Sequence, residues 1–212
     1  WFSYYDPADP ALAPWSRVLA SVDANFKEGK ANDYVAITVW GVIGRRMHLL
    51  AAVNQRIGFV DTVALIRTLW TRWRFGELLV EDKANGSAII DQLKREAGGY
   101  RILACNPLGG KVARANAAAP LYEQGLVLHP QDAPWLRPVE EQLLALGVRD
   151  DGHDDLADSV TQAICHVHST GPMRVSTVHY GHASDSPGPV DPFADSDAPR
   201  HVRRLSASAG FR

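Results

Sequence analysis

Between Arg17 and Val53 the chain offers three extended segments in succession, and only afterwards does helical periodicity begin. That order constrains the fold more than any other feature of the sequence. Arg17 to Asp23 alternates Val18, Ala20 and Val22 against Leu19, Ser21 and Asp23; Tyr34 to Trp40 is β-branched and apolar; Arg46 to Val53 supplies a third run. Short connections between them predict an antiparallel meander. Val63, Ile66, Leu69, Trp70 and Trp73 then share one helical face, which makes both tryptophans core residues, with Asp61 or Thr62 as the expected cap. Leu78-Leu79-Val80 reads as a short buried strand ending at Glu81, and a helix through Ile89, Ile90 and Leu93 stops at Gly98-Gly99. Arg101 to Cys105 makes a further strand. Helices are expected at Val112 to Gln124, at Trp135 to Leu146 with Pro134 near its first turn, and at Asp154 to Val167.

Three strands, helix, strand, helix, strand and then helices is the element order of a ribonuclease H-like α/β fold. In that fold a mixed five-stranded sheet is flanked by helices, and crossovers add parallel strands to an antiparallel edge. The sequence assigns this domain to residues 16–168. Residues 1–15, with Pro7, Pro10 and Pro14, read as an entering linker, and residues 169–212 turn to Ser, Pro, Gly and Asp and read as a flexible tail. The Arg200, Arg203 and Arg204 cluster there reads as a solvated basic end. No apolar run approaches the roughly 18 residues that would cross a bilayer. The opening Trp1-Phe2-Ser3-Tyr4-Tyr5 has neither Met nor a leader pattern, so a longer parent chain is expected. A formal charge of −2 excludes binding to nucleic acid by bulk positive charge, while leaving room for a local basic groove. Cys105 and Cys165 are too few for a disulfide framework and lack zinc-ligand spacing, which suits a reducing compartment.

Within this frame the acids matter by position. Asp23 ends the first predicted strand, Glu81 and Asp82 end the fourth, and Asp154, Asp155 and Asp158 open the last helix. With the first and fourth strands adjacent, Asp23 and Glu81 project side by side. Asp155 and Asp158 share a helical face at i and i+3, and the helix can bring both over the same point. Asp154 fits the helix cap better than Asp155 does. Clustered carboxylates repel one another, so a cation is their natural partner, and an all-oxygen set suits Mg²⁺ or Mn²⁺ rather than zinc. Two such ions roughly 3.5–4 Å apart hydrolyse phosphodiesters by in-line displacement. His153 reads as a solvated loop residue.

Several segments together resemble one family. They are Trp1-Phe2-Ser3-Tyr4-Tyr5-Asp6, Ser21-Val22-Asp23-Ala24 with Asn32-Asp33-Tyr34, Val80-Glu81-Asp82-Lys83-Ala84-Asn85-Gly86-Ser87-Ala88, Lys111 to Ala115 with Ala119 to Gly125, and Gly152-His153-Asp154-Asp155-Leu156-Ala157-Asp158-Ser159. In this order they are similar to the C-terminal nuclease domain of a bacteriophage terminase large subunit, the DNA-packaging motor protein. The resemblance covers about residues 1–168 and implies a divalent-metal endonuclease that cuts concatemeric double-stranded viral DNA in the host cytoplasm. It matches Asp23 to the first-strand ligand, Glu81 to the second acid with Asp82 as its competitor, and Asp155 with Asp158 to the third position. Asp23, Glu81 and Asp155 are thereby the expected catalytic set. It further implies an ATPase domain upstream, a small terminase subunit and a portal protein as partners.

Gly109-Gly110-Lys111-Val112 lacks the remaining residues of a phosphate-binding loop, so this segment is not expected to hydrolyse ATP itself. Lys83, Asn85, Lys111 and Arg114 are the expected DNA contacts, with Lys27, Lys30, Arg45 and Arg46 along the approach. Contacts of this kind give salt-sensitive, sequence-tolerant binding. Three other readings fit parts of the pattern. A junction resolvase or transposase-type nuclease shares the fold and would prefer branched DNA; a non-catalytic module of the motor would show no cleavage; a sugar-kinase-like ATPase would need glycine-rich phosphate loops, which the chain lacks.

Overall fold

The structure, a computed structural model, describes residues 1–12, 14–24, 34–82, 86–95, 99–107, 110–146, 154–169 and 173–177. In chain order the elements are β1 (Ser3–Tyr5), β2 (Arg17–Ala24), β3 (Tyr34–Ile43), β4 (Arg46–Arg56), α1 (Phe59–Trp73), β5 (Glu77–Glu81), α2 (Gly86–Lys94), β6 (Arg101–Pro107), α3 (Lys111–Glu123), β7 (Val127–Pro130), α4 (Leu136–Ala145), α5 (Asp155–His168) and β8 (Met173–Thr177). The five strands expected from sequence form the middle of one sheet of order β1-β7-β4-β3-β2-β5-β6-β8. β2, β3 and β4 are the antiparallel meander, and β5 and β6 extend it in parallel from β2. This is a ribonuclease H-like sheet.

Among the described residues it has eight strands rather than five. β1 lies within the stretch read as a linker and β8 within the stretch read as a tail; β7 was not anticipated. All three are short, so period-two alternation cannot reveal them, and pairing with a neighbour makes them strands. β1 runs parallel to β7, where the Tyr5 hydroxyl donates to the Leu49 carbonyl at 2.9 Å and Phe2 stacks on the buried His129 ring at 4.8 Å. β8 runs antiparallel to β6.

Alternation along the strands builds two cores. Ala20, Val22, Ile37, Leu78, Val80 and Ile102 face α1 and α2, with Trp70 and Trp73 packed against them as expected. Leu19, Trp40, Leu79, Leu103 and Cys105 face the other way, into a cluster with Ala118, Val139, Leu156 and Val160 of α3, α4 and α5. At the start of α1 the cap differs from expectation. Gly58 occupies the N-cap position without a side-chain bond, and Thr62 donates its hydroxyl to the Gly58 carbonyl at 2.8 Å from inside the helix.

Candidate metal centre

β2 and β5 are registered in parallel from Leu19↔Glu77 to Val22↔Val80, so the next step along each strand brings Asp23 beside Glu81. Parallel strands in register present paired side chains on the same face. Counting by twos from Leu19 and Leu79, that face is the one covered by α5. The start of α2 comes very close to Glu81. A Cβ on Gly86 would lie 1.7 Å from the Glu81 carbonyl oxygen, so α2 can begin there only on a residue without a side chain.

A buried polar relay fixes α5 over β2. The Ser159 hydroxyl donates to the Ser21 carbonyl at 2.9 Å, so its 2.8 Å contact with Thr38 uses the Thr38 proton, and Thr38 in turn accepts from the Trp40 indole at 3.0 Å. Gln162 donates to the Ser21 hydroxyl at 3.0 Å. At the helix start, the Gln142 side-chain oxygen on α4 accepts from the Leu156 and Ala157 amides at 2.9 and 3.3 Å. Sequence reading overlooked Ser21, Thr38, Gln142, Ser159 and Gln162. Ser159 and Gln162 at i and i+3 on a helix whose remaining middle residues are mostly apolar were the available signal.

These elements bring four acids together. Burial pushes the Asp23 carboxyl well above the usual carboxylate range, and the negative charges of Glu81, Asp158 and Asp155 push it the same way against Arg114. Asp155 is also raised, first by burial and then by Asp154. Asp158 is raised by burial in spite of Arg114 beside it.

Two cations from α3 enter the same space. Arg114, only 4% exposed, places Nη2 2.5 Å from Asp158 Oδ1. One turn earlier, Lys111 Nζ lies 2.5 Å from Asp154 Oδ2 and 3.6 Å from Asp158 Oδ2. Burial works against the Lys111 ammonium, yet Asp154, Asp158 and Asp23 together hold its pKa above the ordinary value.

Several expectations change. Asp82 turns its carboxylate to the Ser87 hydroxyl at 2.7 Å, because neighbouring strand positions face opposite sides of the sheet, and Glu81 is the acid beside Asp23. Asp154 stands at the N-cap of α5 but makes no side-chain cap bond; Gln142 caps the helix and Asp154 binds Lys111. Arg114, expected on the DNA surface, is buried and faces the acids instead. Lys111 stays half-exposed beside them. Lys83, Asn85, Lys27, Lys30 and His153 lie outside the described residues.

Among the described residues no three carboxylate, imidazole or thiolate groups are already closed around one point. The donor set nevertheless fits a hard divalent cation. Asp23, Glu81 and Asp155 are all carboxylates, and Asp23 and Asp155 carry raised pKa values, first through burial and then through the negative charge of neighbouring acids.

The model of the terminase RNase H-like domain family matches residues 20–167, from β2 through α5, and so contains every acid named above. The chain belongs to that family. Solved structures agree in fold. The large terminase of the thermophilic bacteriophage D6E matches with a TM-score of 0.57 and 10% identity over 73% of this chain and 41% of its own. The large terminase nuclease domain of bacteriophage SPP1, solved with bound Mn, gives 0.54 and 14% over 78% of this chain and 96% of its own. The large terminase nuclease of thermophilic phage G20c, solved with bound magnesium, gives 0.51 and 19% over 76% and 84%. Among curated protein sequences none matches. This terminase RNase H-like domain therefore spans about two fifths of the D6E protein.

Proposed function

We propose that this terminase RNase H-like domain is a divalent-metal-dependent endonuclease acting on double-stranded DNA. In a packaging motor its substrate is concatemeric viral DNA in the host cytoplasm. The observation that carries the reading is the Asp23 carboxyl, raised by burial and then by the charges of Glu81 on β5 and of Asp158 and Asp155 on α5. Uncompensated buried acids are costly unless a ligand makes use of them. The Mn- and Mg-bound SPP1 and G20c relatives lend support by fold.

Asp23, Glu81 and Asp155 are the residues that would hold the metal. Two divalent cations held there, Mg²⁺ or Mn²⁺, would supply an activated water and would neutralise charge at the scissile phosphate. The chain's own residues do the rest. Asp23 and Glu81 hold their positions through strand register, Asp155 through the capped and pinned first turn of α5. Lys111, half-exposed beside the acids, is placed to meet a phosphate oxygen entering the site. In the whole motor protein the ATPase domain, the small terminase subunit and the portal protein are the partners that would bring DNA to this centre.

Plasmid digestion with Mn²⁺ or Mg²⁺, run beside Asp23→Ala and Asp155→Ala, tests the reading. Metal-dependent cutting lost in both variants is expected; undiminished cutting by both would overturn the assignment.

A further inference from the structure

The first turn of α5 and the residue before it carry three acids, and α3 has already paired two of them. Asp154 is held by Lys111 at 2.5 Å. Asp158 has a cation at each oxygen, Arg114 at Oδ1 and Lys111 at Oδ2. Asp155 carries no ion pair among the described residues, so its oxygens are free for a cation, whereas Asp158, which also raises the Asp23 carboxyl, has both oxygens taken. The Arg114–Asp158 pair is also the most buried of these contacts, with side chains 5% and 8% exposed, and it bridges two helices that pack directly on each other. A pair so enclosed resists rotation of either partner, because separating it would leave a charge buried alone.

We propose that Arg114 is the positioning residue of this centre: by holding Asp158 in a buried ion pair across the α3–α5 contact, it sets the roll of α5 so that Asp155, and not Asp158, joins Asp23 and Glu81. The inference rests on the metal-dependent reading above and deepens it. Asp158 and Asp155 lie three residues apart on one helix face, so a modest roll of α5 exchanges which of them points at Asp23. The sequence pattern is symmetric with respect to that choice, and Arg114 breaks the symmetry. Arg114 touches no substrate in this scheme; its charge also bears on Asp23 and Glu81, but it sets the roll of α5 through Asp158.

Calorimetric titration of the full chain with Mn²⁺, beside thermal melting in EDTA, tests the proposal. Asp155→Asn is expected to weaken Mn²⁺ binding by more than about 100-fold, as loss of a direct ligand, and Asp158→Asn by about tenfold, in the range found for groups that orient ligands. Arg114→Met leaves a buried carboxylate alone and is expected to melt lower, so Arg114→Met combined with Asp158→Leu is the decisive variant. It should melt in EDTA close to wild type yet bind Mn²⁺ about 10–100-fold more weakly, because packing alone no longer sets the roll. Arg114→Lys should restore part of that affinity.

Asp158→Asn as damaging as Asp155→Asn would overturn the proposal by making Asp158 a ligand. Wild-type affinity in the double variant would overturn it by making the pair merely structural. Both results leave the nuclease reading standing. Wild-type protein that neither binds Mn²⁺ nor cuts DNA would overturn the two together.

Discussion

The two ends of the β2–β5 strand pair handle buried charge in opposite ways, although a single helix, α5, spans both. At the N-terminal end Glu77 is enclosed by Arg17, Arg101 and His166. Its carboxyl falls to about 2, the contact with His166 contributing most and Arg17 and Arg101 adding to it against desolvation. At the C-terminal end, a few residues along the same strands, Asp23 faces Glu81, Asp155 and Asp158, and its carboxyl rises. One acid is satisfied entirely within the chain. The other is left in want of positive charge. A buried charge with its own partners is part of the scaffold, whereas one without enough of them marks the place where something from outside is bound.

The sharpest way to break this contrast is to neutralise one acid at each end. Asp23→Asn should reduce metal-dependent cleavage by about a thousandfold or more, corresponding to the several kcal/mol that metal ions contribute to charge stabilisation. The same variant should melt higher than wild type in EDTA at neutral pH. A carboxyl raised in the folded state holds its proton, so ionising it costs stability as pH climbs above the ordinary carboxylate value of about 4. The gap between the two proteins should therefore be small near that pH and widen toward neutrality, and added Mn²⁺ should reverse it. Melting curves across pH, with and without metal, check all three statements.

Glu77→Gln should do the reverse. Folded-state depression of its carboxyl from 4.5 to about 2, discounted for solvent screening of the partly exposed arginines, corresponds to roughly 1–3 kcal/mol of stability. That stability is fully present above 4.5 and is lost as pH falls through about 2, so the deficit of the variant in urea unfolding should be complete at pH 7 and close on acidification. Cleavage per folded molecule should be unchanged. A large activity loss with intact folding would mean that the two ends are not functionally distinct.

Smaller effects refine the acidic end. Gly86→Ala must displace the Glu81 backbone, since its Cβ would sit 1.7 Å from that carbonyl oxygen. We expect a stability loss of about 1–3 kcal/mol, read by denaturant unfolding, with cleavage falling further than stability does. Gln142→Ala removes the acceptor from the first-turn amides of α5, and a loss of about 1 kcal/mol, the usual value of a helix cap, should accompany a severalfold drop in cleavage. A Gln142→Ala protein of unchanged activity would show that the relay at Ser159 and Gln162 holds Asp155 by itself.

Much of this was legible beforehand. Of the five central strands β2 was readable by its alternation and β3 and β5 as unbroken apolar runs, and the helices because their apolar residues recur every three or four positions. Asp23 and Glu81 were legible as a pair because both end strands that the element order makes neighbours. The edge strands β1, β7 and β8 carried no comparable signal. The choice between Glu81 and Asp82 followed from the facing of one strand position, which the sequence leaves two-valued until register is known. Arg114 was misread because a basic residue on a helix looks the same in sequence whether it faces solvent or a buried carboxylate.

By itself the sequence determined the order of elements, the residue types available to a metal and their places at strand ends and a helix start. These are consequences of periodicity and chain direction, both local properties. Only the tertiary structure decided which acids meet, which are already neutralised and which helix supplies the neutralising charge. Ion pairs such as Arg114–Asp158 join residues far apart in the chain, and no local pattern encodes their distance, so the electrostatics of the centre come into being only when α3 and α5 pack together over β2.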